Sequence, residues 1–375
     1  MRVKSKGRFA VWALALGLMA LLFASPEASI ESIRRGMSLC VRTMIPSLFP
    51  FMVVSELVVR SGAGEAIAHL PARLFSLPRS GVCACLLGLL CGFPVGSRAA
   101  AEYCRRGSLT AWQFNVVLSC CNVPSSAFLA CAVGVSLFGS REVGRILIVL
   151  SLVSALSSGL VTSLLLPRDR QMAGEDAPFS VPTGQEGRMS ASHLIPQSIS
   201  SAAQGMLTVC ATVLVFSAVM GAMGGLLEAA SLGDTGRALL LGFFEMSGGV
   251  CAASLLSDSE TALLLCAAMI GWGGLSVHCQ IFSVCGGCPL RAGVFWLGRL
   301  WQMLVCVAGM YVWLRVRPLS LPEMPHPMAW RELLAGRDVP TKGFSLTMTW
   351  ACGLLLAAGV ALLWGRTVRM RGDRR

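Results

Sequence analysis

The sequence predicts an all-α polytopic membrane protein, and three observations carry that reading. First, 55% of the 375 residues are hydrophobic and 13% are charged, with a mean hydropathy of +0.69. No soluble globular class has that balance, whereas a set of membrane helices does. Second, the apolar residues come in runs of helix length, without the two-residue alternation of a membrane β-barrel. Third, several runs are interrupted midway by Gly, Pro or a polar residue. Irregular backbone survives at membrane depth only if protein buries it or it lines a water-filled cavity. The formal charge of +12 sits beside apolar runs and at the two ends of the chain. That is the placing of topology signals rather than of a nucleic-acid footprint. We expect membrane lipid as a partner and no nucleic acid.

Arg2, Lys4, Lys6 and Arg8 precede the apolar run 9–24, which puts the N-terminus in the cytoplasm. Residues 1–28 are therefore expected to be an N-terminal transmembrane helix. The same pattern suits a signal peptide cleaved near Ala24-Ser-Pro-Glu-Ala28, but the rest of the chain is itself a membrane protein, which favours an uncleaved helix. Residues 29–43 set Ile30, Ile33, Met37 and Val41 against Glu31, Arg34, Arg35 and Arg42. This amphipathic helix is expected to lie along the interface. The run 45–59 is a spanning candidate with Pro46 and Pro50 near its start and Glu56 near its end. The next run, 82–93, stops at Pro94, which lacks an amide hydrogen and clashes with the preceding turn. Gly92 and Gly96 flank that break, and Ser97 and Arg98 open the next helix. Residues 109–139 are too long for one span. Asn122 and Pro124 cut them into half-length pieces that suit a re-entrant hairpin. Residues 143–166 form a full span and close a first repeat, 29–166. A polar loop occupies 167–192.

The second repeat, 193–314, has the same order. An amphipathic lead-in, 193–204, precedes a span at 207–227. The run 239–256 breaks at Phe244-Glu-Met-Ser-Gly-Gly249, and 263–285 breaks at Gly271-Trp-Gly-Gly-Leu-Ser276. A full span fills 294–314. Asn122 follows Gly96 by 26 residues, as Gly274 follows Gly248. A polar loop, 315–343, leads to a C-terminal helix and basic tail, 344–375. If both long broken segments are re-entrant, eight spans remain, and the count of membrane segments is about eight to ten. Both termini are then cytoplasmic and the two halves inverted. Arg98, Arg105, Arg106, Arg141 and Arg145 would all fall on the non-cytoplasmic side, against the usual bias.

The candidate binding residues sit at the breaks. A helix that starts inside the protein aims free amide hydrogens and partial positive charge at the cavity, a natural anion site. Gly92, Pro94, Gly96, Ser97, Arg98, Asn122 and Ser125 supply that chemistry in the first half. Glu245, Ser247, Gly248, Gly273, Gly274, His278 and Gln280 supply it in the second. An ionisable residue in an apolar span is costly, so Glu245 is expected to carry a coupling ion or to pair with Arg98. His278 could move a proton or bind a carboxylate. Against these readings stand an ordinary kink at Pro94, a snorkelling Arg98, a Glu245 that is a structural partner to Ser247 or a backbone amide, and a satisfied core histidine. Most of the sixteen cysteines lie in apolar runs and read as reduced, buried thiols. Cys285-Gly-Gly-Cys288 lacks the second ligand pair of a structural zinc site, so no metal is expected. No HExxH, GxSxG, P-loop or Rossmann motif occurs, so we expect neither an enzyme nor a cofactor.

Four blocks carry a family resemblance. Met44-Ile-Pro-Ser-Leu-Phe-Pro-Phe-Met-Val-Val-Ser-Glu-Leu57, Gly88-Leu-Leu-Cys-Gly-Phe-Pro-Val-Gly-Ser97, Asn122-Val-Pro-Ser125 and Gly271-Trp-Gly-Gly-Leu-Ser-Val-His-Cys-Gln280 resemble the YlbJ-type sporulation integral membrane proteins. The resemblance runs from about residue 38 to 314. It implies two Gate-like repeats, as in nucleoside-recognition membrane proteins. It also implies a permease that passes a small anionic metabolite, dipicolinic acid, across the outer forespore membrane. Where the family often shows a tyrosine and a lysine, this chain has Phe93 and Arg98. A membrane scaffold for a sporulation complex and a nucleoside-type permease are the alternatives, and homo-oligomerisation stays open.

Overall fold

The computed structural model describes residues 5–61, 77–167, 191–229 and 232–316. The expected C-terminal helix and tail, and most of the two polar loops, lie outside the described residues. Every element among the described residues is helical.

Helix α1, Ser5–Ala24, ends where Pro26 opens α2, Pro26–Leu39. Pro suits the first turn of a helix but not its interior, and the chain bends there by 100°. Helix α2 passes through a π-helical turn, Cys40–Met44, into α3, Ile45–Arg60, without a break. Helices α2 and α3 pack along one long helix, α8, Ala191–Ala229. Ala28, Ser32 and Gly36 recur every fourth residue and make a flat face on α2, which lets two membrane helices approach closely. A Cβ added at Gly36 would lie 2.6 Å from Ser217 Oγ, and Gly221 sits against Ser32. Further along, Gly205 sits against Met52. Numbers rise on one helix as they fall on the other, so the two are antiparallel. The amphipathic pattern registered the charges but not this small-residue stripe. The expected lead-in 193–204 and span 207–227 are likewise parts of the single helix α8.

Two pairs of short helices fold back on themselves. Helix α4, Arg79–Cys91, packs against α5, Val95–Arg105. Gly96 rests on Gly88, where an added Cβ would come within 2.5 Å of the Gly88 Cα. Helix α9, Asp234–Phe244, packs against α10, Met246–Ala253, with Gly249 on Gly242. The chain therefore folds back at these two places, rather than at 109–139 and 263–285, where re-entrant hairpins were expected. Helix α6, Ala111–Cys120, and the π-helix Phe128–Leu137 beyond it do not lie side by side. Helices α11, Ser259–Trp272, and α12, Gly274–Val284, continue across Gly273 as one interrupted span of 26 residues. The physical reason is local. Small faces on both arms let α4–α5 and α9–α10 close up, while the arms beside the 121–125 and 273 breaks use their small residues on other helices, Gly134 on Gly144 and Gly271 on Met303.

The full spans are α7, Arg141–Leu165, and α13, Ala292–Val316. They pack antiparallel. Ser158 Oγ donates to the Gly298 carbonyl at 3.1 Å, Cys306 Sγ donates to Ser154 Oγ at 3.4 Å, and Leu150 meets Gly309. Among the described residues four helices are long and apolar enough to cross a membrane, or five if the bent pair at Ser25 counts as one span. The expected eight to ten segments also included the C-terminal helix, which lies outside the described residues, and α4, α5, α9 and α10 are each shorter than a span. The main core fills the space between α4, α5, α6 and α12, where Ala100, Phe114, Val117, Cys120 and Ile281 are fully buried. The protein is an integral membrane protein built wholly, in its described part, from packed and broken helices.

Candidate functional site

In each half the hairpin tip meets the broken span that comes after it. In the first half, the Phe93 amide donates to the Val123 carbonyl at 2.9 Å. Gly92 holds φ at 81°, which favours glycine, and an added Cβ there would lie 2.5 Å from the Ser125 amide nitrogen. Ser97 Oγ donates to Asn122 Oδ1, and Asn122 Nδ2 donates to the Leu118 carbonyl at 2.7 Å. Ser125 Oγ accepts from the Phe128 amide at 3.3 Å. Ser97 and Asn122 are wholly buried. The polar groups expected to face a ligand are thus used to brace α5 against the α6 break, and Pro94 and Gly96 lie buried between them.

In the second half, Trp272 Nε1 donates to the Phe243 carbonyl at 3.0 Å, and Gly274 packs against Glu245 and Met246. Glu245 caps α10: its carboxylate accepts from the Ser247 amide at 2.9 Å and the Gly248 amide at 2.6 Å. Sequence reasoning expected the helix start to attract an anionic ligand. Here the chain supplies the anion itself, and the cap and helix dipole both favour it.

A small cavity of about 50 Å³ opens where the two hairpin tips come together. Phe93 projects to it from the α4–α5 tip and Glu245, Met246 and Ser247 from the α9–α10 tip. Ser276, Val277 and Gln280 of α12 form a second wall. Met44 and Leu48 at the start of α3, with Val209 and Val213 of α8, close it with apolar surface. The wall therefore pairs a broad apolar face with four polar side chains, the usual composition of a small-molecule site. Of the expected binding residues, Glu245, Ser247 and Gln280 line it. Ser276 was missed, although it stands in the same polar break.

Arg98 does not reach this cavity. Its guanidinium donates to Glu56 at 2.8 Å and to the Ser201 carbonyl and hydroxyl at 2.8 and 2.9 Å. Arg60 donates to the other Glu56 oxygen at 3.0 Å. The expected pairing was with Glu245 or an anionic ligand. Glu56 wins because α3 runs beside α5 and offers a carboxylate at the same depth, where an unpaired charge is costly. His278 is also turned away from the cavity. It sits edge-to-face between Trp272 and Phe295, with ring centroids 4.4 and 5.2 Å away. Its Nε2 lies 2.9 Å from the Trp272 carbonyl, which can only accept, so Nε2 carries the proton. Nδ1 is buried and has no hydrogen-bond partner.

One residue that sequence reasoning passed over joins the two halves. Arg299 lies in the full span α13 and is 1% exposed. Its guanidinium donates to the Asn122 carbonyl at the first break and, at 2.9 Å, to the Trp272 carbonyl at the second. The signal available was a lone arginine inside an apolar run, the same signal that singled out Glu245.

Comparison with known proteins gives one informative match. Over 342 residues the chain is 23% identical to the sporulation integral membrane protein YlbJ of Bacillus subtilis (strain 168), covering 81% of each sequence. No family model matches. No solved structure matches either.

Proposed function

We propose that this chain, which belongs with the YlbJ-type sporulation integral membrane proteins, is a permease that passes a small polar metabolite through the cavity between its hairpin tips. The substrate class we favour is a small anion such as dipicolinate, crossing the outer forespore membrane. The observation that carries the reading is the cavity itself: two interrupted helices from different halves end on it, and four polar groups face an apolar wall. Paired interrupted segments in corresponding places of two halves mark the binding site of many transporters.

Inverted Gate-like repeats belong to the same proposal. In support, each half runs long helix, hairpin, broken segment, full span. The corresponding long helices, α2–α3 and α8, are antiparallel, and so are α7 and α13. With the hairpin tips moved apart to widen the cavity, a planar dicarboxylate would lay its ring on the apolar wall and accept hydrogen bonds from Ser247, Ser276 and Gln280. No cation lines the described cavity and Glu245 does, so the solute would enter with a proton or a cation that offsets its charge. The test is the dipicolinate content of spores from cells lacking the chain. A strong fall, restored by the wild-type chain, supports it. Normal content in spores that assemble badly would favour a scaffold instead.

A further inference from the structure

The carbonyls around Arg299 have an unusual origin. The last four carbonyls of an α-helix have no partner inside the helix. Arg299 Nε takes that of Trp272 at 2.9 Å and Nη2 that of Ile270 at 3.4 Å, both in the last turn of α11. Nη1 takes that of Asn122, just past the end of α6. Gln302, one turn along α13, donates to the Ser119 carbonyl at 2.7 Å and accepts from Arg299 Nη1 at 2.7 Å. Two helix ends therefore converge on one guanidinium, deep in the protein. Each helix C-terminus carries roughly half a negative charge, so together they match one full positive charge. Among the described residues no carboxylate lies within ion-pair distance of Arg299. In transporters with broken helices, such carbonyl ends commonly hold a diffusible cation.

We propose that Arg299 is a tethered cation: its guanidinium occupies a carbonyl-built cation seat shared by the two helix breaks and fixes the breaks relative to each other. It is a positioning residue, since it does not line the cavity. It acts through the breaks that carry the cavity walls, and Gly273 leaves room for it, as a Cβ there would lie 2.5 Å from Nη2.

The test needs no knowledge of the solute. The purified full chain in detergent is melted as wild type, Arg299→Ala, Arg299→Lys and Arg299→Met. Each is run with millimolar guanidinium chloride or with choline chloride at the same concentration. An emptied seat should take up free guanidinium, so Arg299→Ala should melt lower than wild type and recover most of the loss in guanidinium alone. Wild type should not respond. Arg299→Lys, which keeps the charge without the fork, should melt between wild type and Arg299→Met. If Arg299→Ala does not accumulate, the Lys and Met variants decide. Arg299→Met melting as high as Arg299→Lys, or guanidinium acting alike on wild type and Arg299→Ala, would overturn the proposal.

Discussion

Glu245 combines two roles that a substitution can separate. Its carboxylate caps α10 and also faces the cavity. Glutamine keeps one oxygen for the amides and removes the charge; alanine removes both. Losing a cap to alanine costs about 0.5–2 kcal/mol, so Glu245→Ala should melt measurably lower, and Glu245→Gln close to wild type. If the solute is anionic, Glu245→Gln should also raise its uptake at neutral pH, since a fixed negative charge leaves the wall. Unchanged uptake in a well-folded Glu245→Gln would reduce Glu245 to a cap. Arg98 and Glu56 form a second pair. Their side chains are 16% and 11% exposed, so they are mostly desolvated. Removing either partner leaves the other only its remaining contacts, Arg60 for Glu56 and Ser201 for Arg98, at a desolvated site. The two alanine variants should therefore be less than additive by about 0.5–3 kcal/mol in a double-mutant cycle. Strict additivity would mean that Ser201 and Arg60, rather than the pairing itself, satisfy the two charges.

At the scale of elements, the hairpins depend on glycines that the sequence presents alike but the packing does not. Gly96 and Gly248 were aligned as equivalents. An added Cβ at Gly96 would press on Gly88 and on the Cys121 carbonyl at 2.5 and 2.8 Å, whereas one at Gly248 would meet only Glu245 Oε2 at 3.2 Å. Overpacking of that kind costs about 1–3 kcal/mol. Gly96→Ala should lower the melting temperature and cut membrane abundance, while Gly248→Ala should be tolerated; equal tolerance would mean that α4 and α5 do not pack as described. This contrast also explains what the sequence left hidden. Breaks at Pro94, Asn122, Glu245 and Gly273 were legible, because Pro, Gly and a polar residue inside an apolar run announce themselves. Which breaks fold back and which run on depends on whether the two arms present small faces to each other. Gly88 under Gly96 and Gly242 under Gly249 are partners that local patterning does not relate. The same limit hid the partner of Arg98 on α3, and it hid Arg299, whose acceptors lie 177 and 27 residues away.

At the scale of the molecule, the antiparallel pairing of α7 with α13 places the start of one beside the end of the other. Arg141 and Arg315 therefore belong on one side of the membrane. In a background cleared of reactive native thiols, cysteines placed at these two positions should react with an impermeant reagent from the same side. Reaction from opposite sides would contradict both the packing and the proposed inverted arrangement of the halves. The cavity lies where those halves meet, and passage of a solute through it is the claim on which the functional reading stands. The direct measurement is entry of labelled dipicolinate into vesicles reconstituted with the full chain, set against protein-free vesicles. Entry that saturates with concentration and exceeds the protein-free rate is the predicted result, with Glu245→Gln altering that rate. Entry no faster than through bare lipid, from protein shown to be folded, would contradict it.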